Sequence, residues 1–320
     1  MKRPGIIVVS HNSGDVIGEC LDAALETGAD VVVVDNGSTD ATVAEVERRP
    51  RVRLIPNPGN AGFAAAVNQG VRALANQALL LLNPDAVLQT GLDPLVEALS
   101  APGVGAAAGK LAGPDGKAQR GFAVRRLPTP AALVFETLGL NRLWPGNPVN
   151  RRYRCLDLDL EKPADVEQPA GALLMFRREA WLRVGGFDER FHPLWFEDVD
   201  FLQRLRLAGY RVRYVPQTWA VHRGAHSVEK LAPERRRVYW YGSLLEYAAK
   251  HYAPGRRAAV ALAVLLGAAL RMPACLIPGR GRGWAAAHGR VMRQAVSCLV
   301  RGPRNHGAPA ASRTTSCPMV

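Results

Sequence analysis

Val31-Val-Val-Val34, running into Asp35-Asn36-Gly37-Ser38-Thr39-Asp40, is the stretch on which the fold turns. Four successive β-branched residues read as a strand buried on both faces. Asn36-Gly37 marks a tight turn, and Ser38 or Thr39 can cap the helix that follows. Ile6 to Ser10 is a second run of this kind upstream, with a helix expected over 14–26. Downstream come a short strand at Arg53-Leu54-Ile55, a Gly- and Asn-rich turn over 57–62, and an alanine-rich helix over 63–75. Leu79 to Leu82 is the next strand, closed by Asn83-Pro84-Asp85. Strands alternating with helices predict a parallel, doubly wound α/β sheet. Such sheets bind ligands at the carboxyl ends of their strands, where Asp35 and Asp85 both fall.

Further along, strands are expected over 103–110 and 170–177, with a turn over 114–117 and a short helix over 178–184. Residues 120–165 carry scattered Arg, Pro and Trp and read as a mobile loop over the site. Trp195-Phe196-Glu197-Asp198-Val199-Asp200-Phe201 places three carboxylates among aromatics, and Leu202, Leu205 and Ala208 continue an apolar stripe at helical spacing up to Gly209. The carboxylates therefore open a helix, whose dipole favours their ionised form. An ionised carboxylate at the lip of a pocket is a general-base candidate. A strand over 210–215 leads to His222-Arg223-Gly224-Ala225-His226, a pair at i, i+4 without the H-E-x-x-H pattern of a zinc protease.

The 320 residues, 48% hydrophobic, suffice for one large domain with an appendage. Five cysteines, at 20, 155, 275, 298 and 317, include no C-x-x-C and fit a reducing compartment. The apolar run Ile6–Val9 is too short for a signal-peptide core, so the expectation is a cytoplasmic protein. The net charge of +13 is concentrated at one end. Residues 1–225 hold 26 Lys+Arg against 25 Asp+Glu, whereas the remainder holds 15 against 3. That excess points to an anionic partner surface. No nucleic-acid motif accompanies it, so nucleic acid is not the expected partner.

Seven short motifs occur in order: V-S-H-N-S (9–13), V-D-N-G-S-T-D (34–40), N-x-G-F-x-x-x-x-N (60–68), N-P-D (83–85), G-G-F-D-E-x-F (185–191), E-D-V-D (197–200) and V-H-x-x-x-H-S (221–227). Together they resemble family 2 glycosyltransferases of the GT-A fold, and within it bacterial rhamnosyltransferases acting on lipid-linked acceptors. The resemblance covers residues 5 to about 230. It implies a Rossmann-like mixed sheet with helices on both faces, and inverting transfer of a sugar from a nucleotide-sugar donor, dTDP-L-rhamnose in that branch. It also implies a polyprenyl-diphosphate-linked saccharide as acceptor. Donor contacts are implied for Ser10, Asn12, Asp35, Asn36, Asn60, Gly62, Phe63, Asn68, Asn83 and Asp85. Asp35 suits a base imide or ribose hydroxyl as an acceptor-only group, and equally suits an Asx-turn. Asp85 matches the last acid of the family's D-x-D motif, with Asn83 in place of the first. A Mg²⁺ or Mn²⁺ ion is thus implied at Asp85 with His222, held largely by the diphosphate. Asp198 matches the base and Glu197 its support. Trp195, Gly171 and Asp200 are the acceptor-side candidates, with a core residue the competing and slightly favoured reading of Trp195.

The implied organisation is a catalytic domain over 1–228, a basic helical region over 229–304 and a disordered tail over 305–320. Ala258 to Leu270 is apolar but shorter than the roughly 20 residues a bilayer requires. Flanked by Arg256, Arg257 and Arg271, it reads as an interfacial helix on the inner face of the cytoplasmic membrane, or else as a core helix of the appendage.

Overall fold

The computed structural model describes residues 3–224, 230–273 and 281–301. His226 and the expected tail over 305–320 lie outside the described residues. The first half of the chain holds the expected strands and helices and two more: β1 (Gly5–Ser10), α1 (Ile17–Glu26), β2 (Asp30–Asp35), α2 (Thr42–Glu47), β3 (Val52–Pro56), α3 (Phe63–Ala73), β4 (Ala78–Leu82), β5 (Ala86–Leu88), α4 (Asp93–Ser100) and β6 (Val104–Ala112). Of these, β5 and α4 are the two that the sequence reading does not include. There follow β7 (Val124–Arg125), α5 (Pro130–Leu138), α6 (Leu140–Leu143), α7 (Pro148–Tyr153), β8 (Ala164–Val166), β9 (Gln168–Pro169), β10 (Leu173–Arg177), α8 (Arg178–Val184), α9 (Glu197–Leu207) and β11 (Arg211–His222). Three long helices end the described chain: α10 (Pro233–His251), α11 (Pro254–Arg271) and α12 (Gly281–Arg301).

The main sheet runs β3-β2-β1-β4-β10-β6-β11-β5, with β8 added on β11. Its first four strands are parallel, but β10 lies antiparallel to both β4 and β6. The sheet is thus mixed, as the family resemblance implies, with the parallel pairing that the strand–helix alternation predicts confined to part of it. The reason lies in the segment before β10, which returns the chain to the carboxyl edge of β4 and leaves β10 to run back. Alternate residues of each strand feed two cores. Ile6, Val8, Val31, Val33, Leu80 and Leu82 pack with α1 on one face, and Ile7, Val32, Val34, Leu79 and Leu81 pack with α3 on the other.

Residues 120–165 are not a mobile loop. They form two short strands and three short helices, two of which begin with a capping residue followed by proline: Thr129-Pro130 and Asn147-Pro148. Both caps accept a backbone N–H, from Ala132 at 3.2 Å and from Asn150 at 2.8 Å. Capping residue plus Pro at the first helical position is a start signal legible in the sequence.

The helical end is a third core, in which Leu133 of α5, Phe191 and Phe196 ahead of α9 and Val199 in its first turn pack with Tyr241, Leu244, Tyr247, Val260 and Val264. That core spans the boundary expected at residue 228. In α11, Val260, Ala261, Val264 and Ala268 are buried, so the core-helix reading describes one of its faces. The other face exposes Leu262, Leu266 and Leu270, at 57%, 52% and 66%. No described helix is long and apolar enough to cross a membrane.

Candidate active site

A cavity of about 760 Å³ opens between the carboxyl edge of the sheet and the helical end. Ser10, Asn36, Asn60, Phe63, Asn83, Asp85 and His222 line it from the strand ends, and Gly171, Trp195, Glu197 and Asp198 from the opposite side.

At the first strand ends, polar groups answer one another. Asp35, 2% exposed, accepts hydrogen bonds from Ser10 Oγ at 2.8 Å and from the Ser38 N–H at 2.8 Å. Asn12, with φ of 53°, accepts the Thr39 N–H at 2.8 Å. Both residues thus hold the turn, and neither lines the cavity. Gly62 does not line it either. Its φ of +91°, with a Cβ that would stand 2.8 Å from His192 Cδ2, explains the glycine. Asn68 departs from the expected donor contact. Its buried amide accepts from Trp181 Nε1 and the Phe187 N–H and donates to Phe187 O and Glu189, tying α3 to the turn before α9.

Asp85 and His222 meet because β11 pairs with β5 so that His222 stands opposite Ala86. His222 Nε2 lies 3.4 Å from Asp85 Oδ1 and 3.4 Å from Asn83 Nδ2. The other ring nitrogen, Nδ1, is 3.0 Å from Gln119 Oε1. Gln119 Nε2 donates to the His222 carbonyl at 2.7 Å, and a carbonyl can only accept. The amide is therefore oriented with its oxygen toward Nδ1, which must carry the proton. A lone pair or a second proton remains at Nε2, facing a carboxylate oxygen. Burial pushes the Asp85 carboxyl up, but the hydrogen bond and charge of His222 and the Gly224 N–H outweigh it and hold it below the usual range. A carboxylate and an imidazole lone pair this close need a proton or a cation between them. Carboxylate, imidazole and amide suit Mn²⁺, and with diphosphate and water also Mg²⁺. Among the described residues no group of three or more His, Cys, Asp or Glu gathers around one point, so the remaining ligands would come from the diphosphate and water. Phe122 stacks on the His222 ring, with centroids 5.5 Å apart. Gln119 and Phe122 were not among the residues singled out from the sequence.

The base candidate sits at the start of α9, behind two consecutive residues with positive φ, Trp195 (76°) and Phe196 (67°). Such conformations cost about 1–3 kcal/mol each for non-glycine residues. Phe196 is held by Tyr247 and Trp240, with ring centroids at 5.5 and 6.3 Å, so α10 fixes the turn that aims the helix. Trp195 is half-buried, packing on the helical core while facing the cavity. Asp198 Oδ2 accepts the Gly171 N–H at 3.0 Å, and Oδ1 accepts the Val199 N–H at 2.7 Å. A Cβ on Gly171 would stand 3.2 Å from Asp198 Cβ, so a side chain there would crowd the carboxylate. Burial pushes the Asp198 carboxyl up, offset only in part by these N–H groups and by the Arg125 charge. The helix start favours the ionised form, but desolvation outweighs it. Glu197 is raised well above the ordinary range, first by burial and then by the Asp198 charge. Its Oε2 has no hydrogen-bond partner among the described residues.

Asp200 is corrected as an acceptor contact. Fully buried, it pairs with Arg204 at 2.7 Å, Lys250 at 2.6 Å and His251 at 2.7 Å, facing α10 rather than the cavity.

Beside this geometry, the glycosyl transferase family 2 model matches residues 5–179, and a glycosyl transferase family group 2 model matches residues 160–284. The N-acetylglucosaminyl-diphospho-decaprenol L-rhamnosyltransferase of Mycobacterium tuberculosis is 36% identical over 240 residues, covering 69% of this chain and 76% of that protein. The rhamnosyltransferase WbbL of Escherichia coli K12 is 25% identical over 232 residues, covering 69% and 83%. Among solved structures, the mannosyltransferase PcManGT from Pyrobaculum calidifontis, in complex with GDP-Man and Mn²⁺, superposes with a TM-score of 0.53 at 21% identity, over 93% of this chain and 87% of that one. Sequence motifs, mixed sheet and family match agree: the chain belongs to glycosyltransferase family 2 and has the GT-A fold.

Proposed function

We propose that the protein is an inverting glycosyltransferase that moves L-rhamnose from dTDP-L-rhamnose to a hydroxyl of a lipid-linked saccharide in cell-envelope glycan synthesis. The observation that carries this reading is Asp198, held by the Gly171 N–H and lining the same cavity as the Asp85–His222 pair. The acceptor hydroxyl gives its proton to the Asp198 carboxylate as its oxygen forms a bond to the anomeric carbon. The bond from that carbon to the nucleoside diphosphate breaks in the same displacement, its electron pair leaving with the diphosphate, and the configuration inverts. Base catalysis of this kind contributes on the order of 10²–10⁴-fold, and positioning in the cavity adds to it. Asp85 and His222 would hold the divalent cation, whose chemistry when bound is stabilisation of charge on the leaving diphosphate.

The donor sugar and the lipid-linked acceptor follow the name of the 36%-identical relative. The basic C-terminal third and the exposed Leu262, Leu266 and Leu270 support work at the inner face of the cytoplasmic membrane, on anionic lipid. Replacing these three leucines by Glu should release the protein from anionic liposomes in flotation assays, and undiminished binding would reject that part of the reading. The donor is tested by thermal shift with dTDP-L-rhamnose, UDP-hexoses and GDP-mannose, with and without Mn²⁺. Stabilisation by dTDP-L-rhamnose, increased by metal, is the expected result. Stabilisation by UDP-hexoses alone would keep the transferase and overturn the rhamnosyl assignment.

A further inference from the structure

Beyond the strand ends and Asp198, the same cavity has a helical side. It is walled by Leu133 of α5, by Leu194, Trp195 and Phe196 ahead of α9, and by Tyr239 and Trp240 of α10. Into this apolar wall are set two arginines, Arg125 on β7 and Arg235 on α10. Neither has a carboxylate partner among the described residues, whereas Arg154, which also lines the cavity, is paired with Glu136 at 3.3 Å.

Arg125 is built in rather than loosely placed. Its Nε donates to Gly121 O at 2.9 Å, and its guanidinium lies over the rings of Phe122, at 5.9 Å, and Tyr153, at 5.8 Å. Its two terminal nitrogens make no hydrogen bond among the described residues, so a rigid fork of donors is presented to the cavity. The β7–β9 ladder sets Arg125 opposite Gln168, three residues before Gly171, whose N–H holds Asp198. Arg125 therefore stands on the side of the base, and its charge acts on the Asp198 carboxyl. A fixed, unpaired guanidinium fork calls for phosphate, and an aromatic and aliphatic wall beside it calls for a hydrocarbon chain.

We propose that Arg125, assisted by Arg235, binds the phosphate of an amphiphilic acceptor whose hydrocarbon lies along the Leu133–Trp195–Trp240 wall. This rests on the reading of Asp198 as the base, because an anchor beside the base positions the acceptor and not the donor. It makes the helical end a specificity element: the enzyme selects acceptors that carry both a phosphate and an apolar chain.

The test uses the full chain and farnesyl diphosphate as a soluble probe, with binding read by tryptophan fluorescence. Farnesol and the pair dTDP plus Mn²⁺ serve as comparison ligands. Arg125→Ala should weaken farnesyl diphosphate about ten- to a hundredfold, the range of a lost charge-assisted hydrogen-bond pair, and leave dTDP within about threefold. Arg125→Lys keeps the charge without the fork and should fall between. Arg235→Ala should show a smaller loss of the same kind. Equal loss of dTDP affinity would assign Arg125 to the donor diphosphate and overturn the proposal. So would farnesol binding as tightly as the diphosphate, or farnesyl diphosphate binding unchanged in Arg125→Ala. A protein that binds no nucleotide sugar would instead refute the transferase reading, independently of the Arg125 result.

Discussion

The strand-end half of the cavity and its helical half are built on opposite plans. Asp35, Asn12 and Asn68 do not line the cavity but are engaged by hydrogen bonds, so the strand-end side is braced from behind, while its Asp85–His222 pair is left open to a cation. In the helical half Arg125 and Arg235 line the cavity without a carboxylate partner among the described residues, and Glu197 Oε2 has no hydrogen-bond partner there. A polar edge braced in this way is rigid and can present a fixed shape to a ligand. A half with unanswered charge is one that a ligand completes. The two halves meet at the first turn of α9, where Asp198 belongs to the cavity and Asp200 to the joint between α9 and α10.

The sharpest break of this comparison is at Asp198. Asp198→Asn should lower kcat by about 10²–10⁴-fold while donor affinity stays within about twofold. Because burial raises the Asp198 carboxyl, the acid limb of kcat/KM should lie above the ordinary aspartate range, with activity lost as pH falls through the raised value. Unchanged turnover in the variant would remove Asp198 as the base.

Asp200→Asn should act on stability instead. Lys250 keeps its pairing with Asp188 at 2.6 Å, but the half-buried Arg204 loses its carboxylate, which should cost about 1–3 kcal/mol in denaturant unfolding. Although burial opposes it, the hydrogen bond from His251 and the charges of Arg204 and Lys250 hold the Asp200 carboxyl below its usual range. Its stabilisation is therefore present above the unfolded-state value and is lost as pH falls through the lowered folded one. A variant as stable as the parent, yet inactive, would return Asp200 to the cavity.

Gln119→Leu removes the acceptor that fixes the His222 tautomer. Mn²⁺ binding in the presence of dTDP, followed by electron paramagnetic resonance, should weaken about 10–100-fold. Gln119→Glu keeps an acceptor at Nδ1 and should recover most of the affinity, which a merely structural role would not explain.

The smallest effect is expected next to the largest. Glu197→Gln should change kcat by less than about threefold, since burial and the Asp198 charge both raise the Glu197 carboxyl and favour the neutral form that the amide mimics. A loss approaching that of Asp198→Asn would show that Glu197 works as a charged group and would blur the division drawn here.

Much of the fold could be read in advance because its strands are continuous β-branched and leucine runs, which only a doubly covered sheet can bury. Val31–Val34 and Leu79–Leu82 stand as expected, with Asp85 at its strand end facing the cavity. The segment over 120–165 was misread because its helices are short, nine, four and six residues, too brief for periodicity to speak. The expected strand over 210–215 runs on to His222 through a register shift between Tyr214 and Trp219, and that extension is what delivers His222 to Asp85. Periodicity cannot foresee such an irregularity.

What the sequence alone determined is the inventory: a sheet with acids at its strand ends, a carboxylate-rich helix start and a basic helical end. What only the tertiary structure decided is the assignment within that inventory. Asp198 and Asp200 are two residues apart, about 200° around a helix, so one must face away from whatever the other faces. Which of them meets the cavity depends on how α10 packs against α9, and on the Trp195–Phe196 turn that aims it. Side chains brought together from distant parts of the chain, such as Gln119 with His222 or Gly171 with Asp198, have no local signature, because their contact is made by the fold and not by spacing along the chain.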